Sequence, residues 1–85
     1  MNYMIFSYVK THEVENGLFI YNEENGTCYG IEGIGGVIWK GIINENSLQV
    51  IIGNIRQGYH PGITLEQDVK EFIDQLLLNS LIKLR

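Results

Sequence analysis

The run Asn16-Gly17-Leu18-Phe19-Ile20-Tyr21-Asn22-Glu23-Glu24-Asn25-Gly26-Thr27-Cys28-Tyr29-Gly30-Ile31 decides the fold class. It holds two Asn-Gly pairs, each followed by residues suited to a strand. Asn and Gly tolerate positive φ, which tight hairpin turns demand. Upstream, Tyr8 to Val14 is mixed but rich in β-branched and aromatic residues. The spacing predicts strands over Tyr8–Val14, Leu18–Tyr21 and Thr27–Ile31. Two short connections in series join them as an antiparallel meander in spatial order one-two-three.

Downstream of Ile31 the period changes. Gly33, Gly35 and Gly36 break the strand and serve a sheet-to-helix turn. Val37 to Ile43 reads as a short apolar helix with Ile38, Trp39 and Ile42 on one side. Ser47 can cap a second helix, whose Leu48, Ile51, Ile52 and Ile55 follow the i, i+3, i+4, i+7 pattern. Gly58 to Gly62, with Pro61, ends it. Thr64 opens a third helix, and Gln67 completes a capping-box pattern. Glu66 and Asp68 sit in its first turn, where the helix dipole favours anions. Val69, Phe72, Ile73, Leu76 and Leu77 form its apolar stripe, which Leu81 and Ile82 continue. The expected architecture is α+β and winged helix-turn-helix-like: a three-stranded antiparallel sheet followed by three helices. It makes one domain over residues 1–85, with strands about 7–31 and helices about 34–84.

At 85 residues the chain has room for one core. A chain of this size buries roughly 60–65% of its unfolded surface, which leaves little space for a deep pocket. Its net charge of −4 and its scattered basic residues argue against a phosphate backbone as partner. The same scatter argues against an anionic membrane surface. A lone cysteine allows no internal disulfide, which fits a reducing compartment. Without a secretion signal or a membrane-length apolar run, the expected location is cytoplasmic.

Catalytic chemistry finds no constellation. Cys28 is the obvious nucleophile, with His12 or His60 as candidate base, yet it is expected in a strand among apolar neighbours and away from the cations that activate a thiol. One cysteine and two histidines at positions 12, 28 and 60 lack the close pairs of a zinc site. Glu66, Asp68, Glu71 and Asp74 read as a solvated acidic face. Gly33-Ile34-Gly35 is followed by Ile38 where a dinucleotide fingerprint wants glycine, and no Gly-Lys-Ser/Thr follows. The winged-helix layout raises DNA binding, but an acidic third helix would be repelled by phosphates. No enzyme activity, cofactor or metal is expected.

What remains is an edge and a groove. In a one-two-three meander the third strand is an edge, with backbone groups free to accept another strand. The third helix can lie beside it and form a trough for an extended peptide. A bare edge could also pair a second copy of the chain, giving a homodimer.

The order and spacing of Gly17-Leu18-Phe19-Ile20-Tyr21, Asn25 to Glu32, and Gly36-Val37-Ile38-Trp39 resemble the PqqD-like pattern. Ser47-Leu48, Tyr59, Asp68-Val69, Phe72-Ile73 and Leu76 match its remainder. The resemblance covers about residues 8–82. That family comprises recognition elements for the leader segments of ribosomally made precursor peptides. A free-standing copy of this length is most similar to the stand-alone recognition protein of lasso-peptide pathways. The resemblance implies two further partners, a leader peptidase and an ATP-dependent cyclase. Its alternative is the PqqD chaperone of pyrroloquinoline quinone synthesis.

The resemblance also implies a site. The leader would add as a strand against Thr27, Cys28, Tyr29, Gly30 and Ile31. Cys28, Tyr29, Val69, Phe72, Ile73 and Leu76 would offer apolar surface, and Asp68 would meet a cation or hydroxyl. The sequence leaves open which of these face the groove and which the core. Glu32, Gly33 and Cys28 depart from the family's usual residues and bear on which leader is read.

Overall fold

A computed structural model of the chain describes residues 2–59, 62 and 64–85. Strands β1 (Tyr3–Ile5), β2 (Val9–Val14), β3 (Gly17–Asn22) and β4 (Cys28–Glu32) come first. Helices α1 (Ile34–Ile43), α2 (Leu48–Gly58) and α3 (Leu65–Leu78) follow, and strand β5 (Ile82–Leu84) closes the chain. The expected meander forms as an antiparallel sheet in the order β2-β3-β4. Its register places Ile20 between Thr11 and Tyr29, and Phe19 between His12 and Gly30. Period two then sorts the central strand: Leu18 and Ile20 are buried, while Phe19 and Tyr21 face solvent. A slip of one residue would exchange the two sets, so burial itself holds the register.

The two turns work differently. At the β3–β4 turn Gly26 has φ 76°, as its Asn-Gly pair predicts. The Asn22 side chain accepts the Glu24 N–H at 2.9 Å, and the Asn25 side chain accepts the Thr27 N–H at 2.9 Å. These are Asx turns, in which a short side chain replaces a backbone acceptor. The Asn16-Gly17 pair departs from expectation. Val14 pairs with Gly17, so Glu15 and Asn16 make the turn, and neither Asn16 nor Gly17 has positive φ. Glycine is needed at 17 for another reason: a Cβ there would strike the Ile31 carbonyl oxygen and lie 3.2 Å from Glu32 Cα.

The helices cover the inner face of this sheet. Gly33, at φ 63° and ψ −135°, makes the turn into α1 in a conformation that side chains resist. Ile38, Trp39 and Ile42 are buried, and the Trp39 indole N–H donates to Thr11 Oγ1 at 2.8 Å, tying α1 to β2. Ser47 caps α2 as expected, its hydroxyl accepting the Val50 N–H at 3.3 Å. Ile51 and Ile55 are buried, with Leu48 and Ile52 partly so. The expected role of Pro61 in ending α2 lies outside the described residues.

Three expectations for the C-terminal third are corrected. No capping box forms at α3. Thr64 occupies the N-cap at φ −92° and ψ 11°, outside the extended conformation that aims a cap side chain at the helix N–H groups. Its hydroxyl donates instead to Asp68 at 3.1 Å, and the Gln67 amide to Glu71 at 3.2 Å. Leu77 is exposed, because the buried arc runs through Leu65, Val69, Ile73 and Leu76 and Leu77 falls beyond its edge. The helix also stops at Leu78. Ser80 takes φ 58°, the Leu81 N–H bonds the Leu76 carbonyl at 3.0 Å, and the Ser80 N–H bonds the Leu77 carbonyl at 3.1 Å. That is a Schellman ending, with serine where glycine is usual. Leu81 and Ile82 stay buried, but Ile82 belongs to β5, which pairs antiparallel with β1. This second, two-stranded sheet was not foreseen.

Among the described residues no helix is long and apolar enough to cross a membrane.

Candidate functional site

Strand β4 bonds β3 along one side, and no described strand pairs with its other side. Its residues alternate: Cys28, Gly30 and Glu32 are exposed, and Tyr29 and Ile31 are half-buried against the core. The alternation expected from the sequence therefore holds, and it turns Tyr29 and Ile31 toward the helices. Cys28 begins the strand and is exposed, not enclosed among apolar neighbours. Strand β3 lies between it and His12, a gap of roughly 9–10 Å at two strand spacings, so the two make no dyad. His60 lies outside the described residues. No group of three or more His, Cys, Asp or Glu among the described residues could hold a metal.

Thr27 differs from the expected role. Its N–H is already taken by the Asn25 side chain and its carbonyl by the Asn22 N–H at 2.9 Å. The backbone free for a new strand thus begins at Cys28. On α3 the candidate side chains divide sharply. Val69 and Ile73 are 1% exposed and Leu76 4%, so all three are core and offer no surface. Phe72 alone is half-buried, packed against the edge of the core. The atoms Ile31 Cγ2, at 2.9 Å, and Phe72 Cε1 and Cζ, at 3.3 Å, converge on the place where a Cβ on Gly35 would stand. Three elements meet there: β4 through Ile31, α1 through Gly35, α3 through Phe72. Asp68, one turn before Phe72, is exposed and accepts the Thr64 hydroxyl. Glu71 is exposed beside them.

The site is therefore a bare strand edge, an apolar seam and an acidic rim on the helix. A family model described as coenzyme PQQ synthesis protein D (PqqD) matches residues 17–82. The chain belongs to the PqqD family. The match runs from the start of β3 to the first residue of β5, and so contains β4, the seam at Gly35 and all of α3. No curated protein sequence matches the chain.

Solved structures extend the likeness of this PqqD-family chain to nearly its whole length. TbiB1 in complex with the TbiA(beta) leader peptide is 21% identical over 94% of both chains, with a TM-score of 0.87. A lasso peptide synthetase B1 complexed with the leader peptide is 12% identical over 99% of this chain and 100% of its own, also at a TM-score of 0.87. At these identities the likeness establishes the fold.

Sequence reasoning missed Gly35 as part of the site. The available signal was a glycine in the first turn of a helix, where it costs about 1 kcal/mol against alanine and wants a packing reason.

Proposed function

We propose that this PqqD-family protein binds the leader segment of a ribosomally made precursor peptide by strand addition to β4, without itself catalysing a reaction. The observation that carries the reading is the outer side of β4, with which no described strand pairs, uncharged from Cys28 to Ile31, beside the half-buried Phe72. Backbone pairing to Cys28–Ile31 supplies register, and the seam of Ile31 and Phe72 receives a leader side chain. Asp68 stands at the rim for a cation or hydroxyl. The whole-length fold match to two chains solved with leader peptides supports the same mode. The match to a lasso peptide synthetase B1 favours a lasso-peptide pathway, in which the bound precursor passes to a leader peptidase and a cyclase. A second reading keeps the groove and changes the pathway. The family's own description favours pyrroloquinoline quinone synthesis.

A synthetic leader from a neighbouring precursor gene tests the mode. Only every second residue of an added strand points its N–H at β4. Single N-methylation along the leader should therefore weaken binding at alternate positions and spare those between. Loss without alternation, or no binding by the unmodified leader, would overturn strand addition. Binding of lasso or quinone-pathway leaders separates the two pathways.

A further inference from the structure

We propose that Gly35 is a positioning residue that sets the depth of the β4–α3 groove, and with it the size of the apolar side chain a bound peptide can insert. This rests on the leader-binding reading above. Gly35 lies in the first turn of α1, under the meeting point of Ile31 and Phe72. A Cβ there would stand 2.9 Å from Ile31 Cγ2 and 3.3 Å from Phe72 Cε1 and Cζ. Folded proteins essentially never hold carbon atoms as close as the first distance, so something must move.

Ile31 can relieve the 2.9 Å contact only by turning its side chain, which itself lines the seam. Its backbone is paired with Leu18 in the sheet, and its carbonyl packs on Gly17. Phe72 has freedom in one direction only. Val69, Ile73 and Leu76 occupy the buried arc of α3, so a displaced Phe72 ring swings outward, into the space beside β4. A single methyl on α1 thus raises the groove floor without touching the peptide.

The adjacent Gly36 is the internal control. A Cβ there meets only Leu18 Cδ2, at 4.0 Å, which is ordinary contact. Gly35→Ala and Gly36→Ala gain the same helix propensity, so a difference between them reports the groove.

The experiment titrates a labelled leader, and versions with each large apolar residue shortened to Ala, against wild type and variants. Wild type should lose about tenfold at one anchor position at least. Gly35→Ala should bind the full leader about tenfold more weakly, yet bind the anchor-shortened leader as wild type does. Gly36→Ala should match wild type throughout. Phe72→Leu in the Gly35→Ala background should recover part of the full leader's affinity, since the smaller side chain returns depth while giving up some ring contact.

A folded Gly35→Ala protein with the wild-type pattern overturns the proposal, as does a uniform loss across all leaders. A Gly35→Ala chain that does not fold also overturns it, because Phe72 then has no outward route. Wild type that binds the full leader but loses nothing at any shortened position refutes the depth argument and leaves leader binding standing. Wild type that binds no leader removes both.

Discussion

The two outer strands of the sheet meet solvent in opposite ways. Strand β2 carries Lys10, His12 and Glu13 in sequence, with Glu15 just beyond, and only Val9 is buried. Glu13 is bonded to Lys40 of α1 at 2.5 Å. Charges of this kind keep a strand edge from pairing with another chain. Strand β4 has none before Glu32, and its half-buried Tyr29 and Ile31 continue into the seam with Phe72. One edge is closed and the other is left open beside an apolar contact. A chain that merely tolerated its edges would have charged both, so the asymmetry is the physical argument for a peptide at β4.

The largest effect should come from the open side. Phe72→Ala should weaken leader binding about 30-fold, the loss of one anchor contact of about 2 kcal/mol, while His12→Ala on β2 leaves affinity unchanged. Fluorescence anisotropy on both folded variants measures this, and equal losses would break the contrast between the edges. Asn22→Ala should follow. Asn22 is 2% exposed and holds the turn into β4 through the Glu24 N–H at 2.9 Å. Its removal should cost about 1–3 kcal/mol in denaturant unfolding, and hydrogen exchange should rise more in Cys28–Glu32 than in the body of β2. Uniform loosening of both strands would show that the turn does not act on β4 selectively.

The smallest effect belongs to the closed side. The hydrogen bond and charge of Lys40 hold the Glu13 carboxyl below the usual glutamate range. Its contribution is therefore complete above the unfolded pKa and is lost as pH falls through the lowered folded value. Glu13→Gln should remove a slight acid sensitivity in that window and leave leader binding intact. As the pair is solvent-exposed, added salt should shrink the difference. Acid unfolding followed by circular dichroism at low and high salt checks both.

Much of the fold was legible because it is local. Leu18 and Ile20 alternate with Phe19 and Tyr21, and Leu48, Ile51 and Ile55 recur at helical spacing, so each element declares its own period. The candidate site was legible only in outline. The strand declares itself, but no local pattern shows that Asn25 and Asn22 already occupy the backbone of Thr27. Along α3, Val69, Phe72, Ile73 and Leu76 look alike in sequence. Only one of the four reaches the groove, because which arc is buried depends on where the sheet and α1 lie.

The sequence by itself determined three strands, three helices, their order, the acidic charge and the bare third strand, since each follows from neighbours within a few residues. Tertiary structure decided the rest. It converted Ile82–Leu84 from expected helix to a strand, because Tyr3–Ile5, at the other end of the chain, supplies its partner. It also explained glycine at 17 and 35, where atoms of Ile31 and Phe72 fill the space that a side chain would need. Ile31 is distant from Gly17 along the chain, and Phe72 from Gly35, so no local pattern can announce either contact.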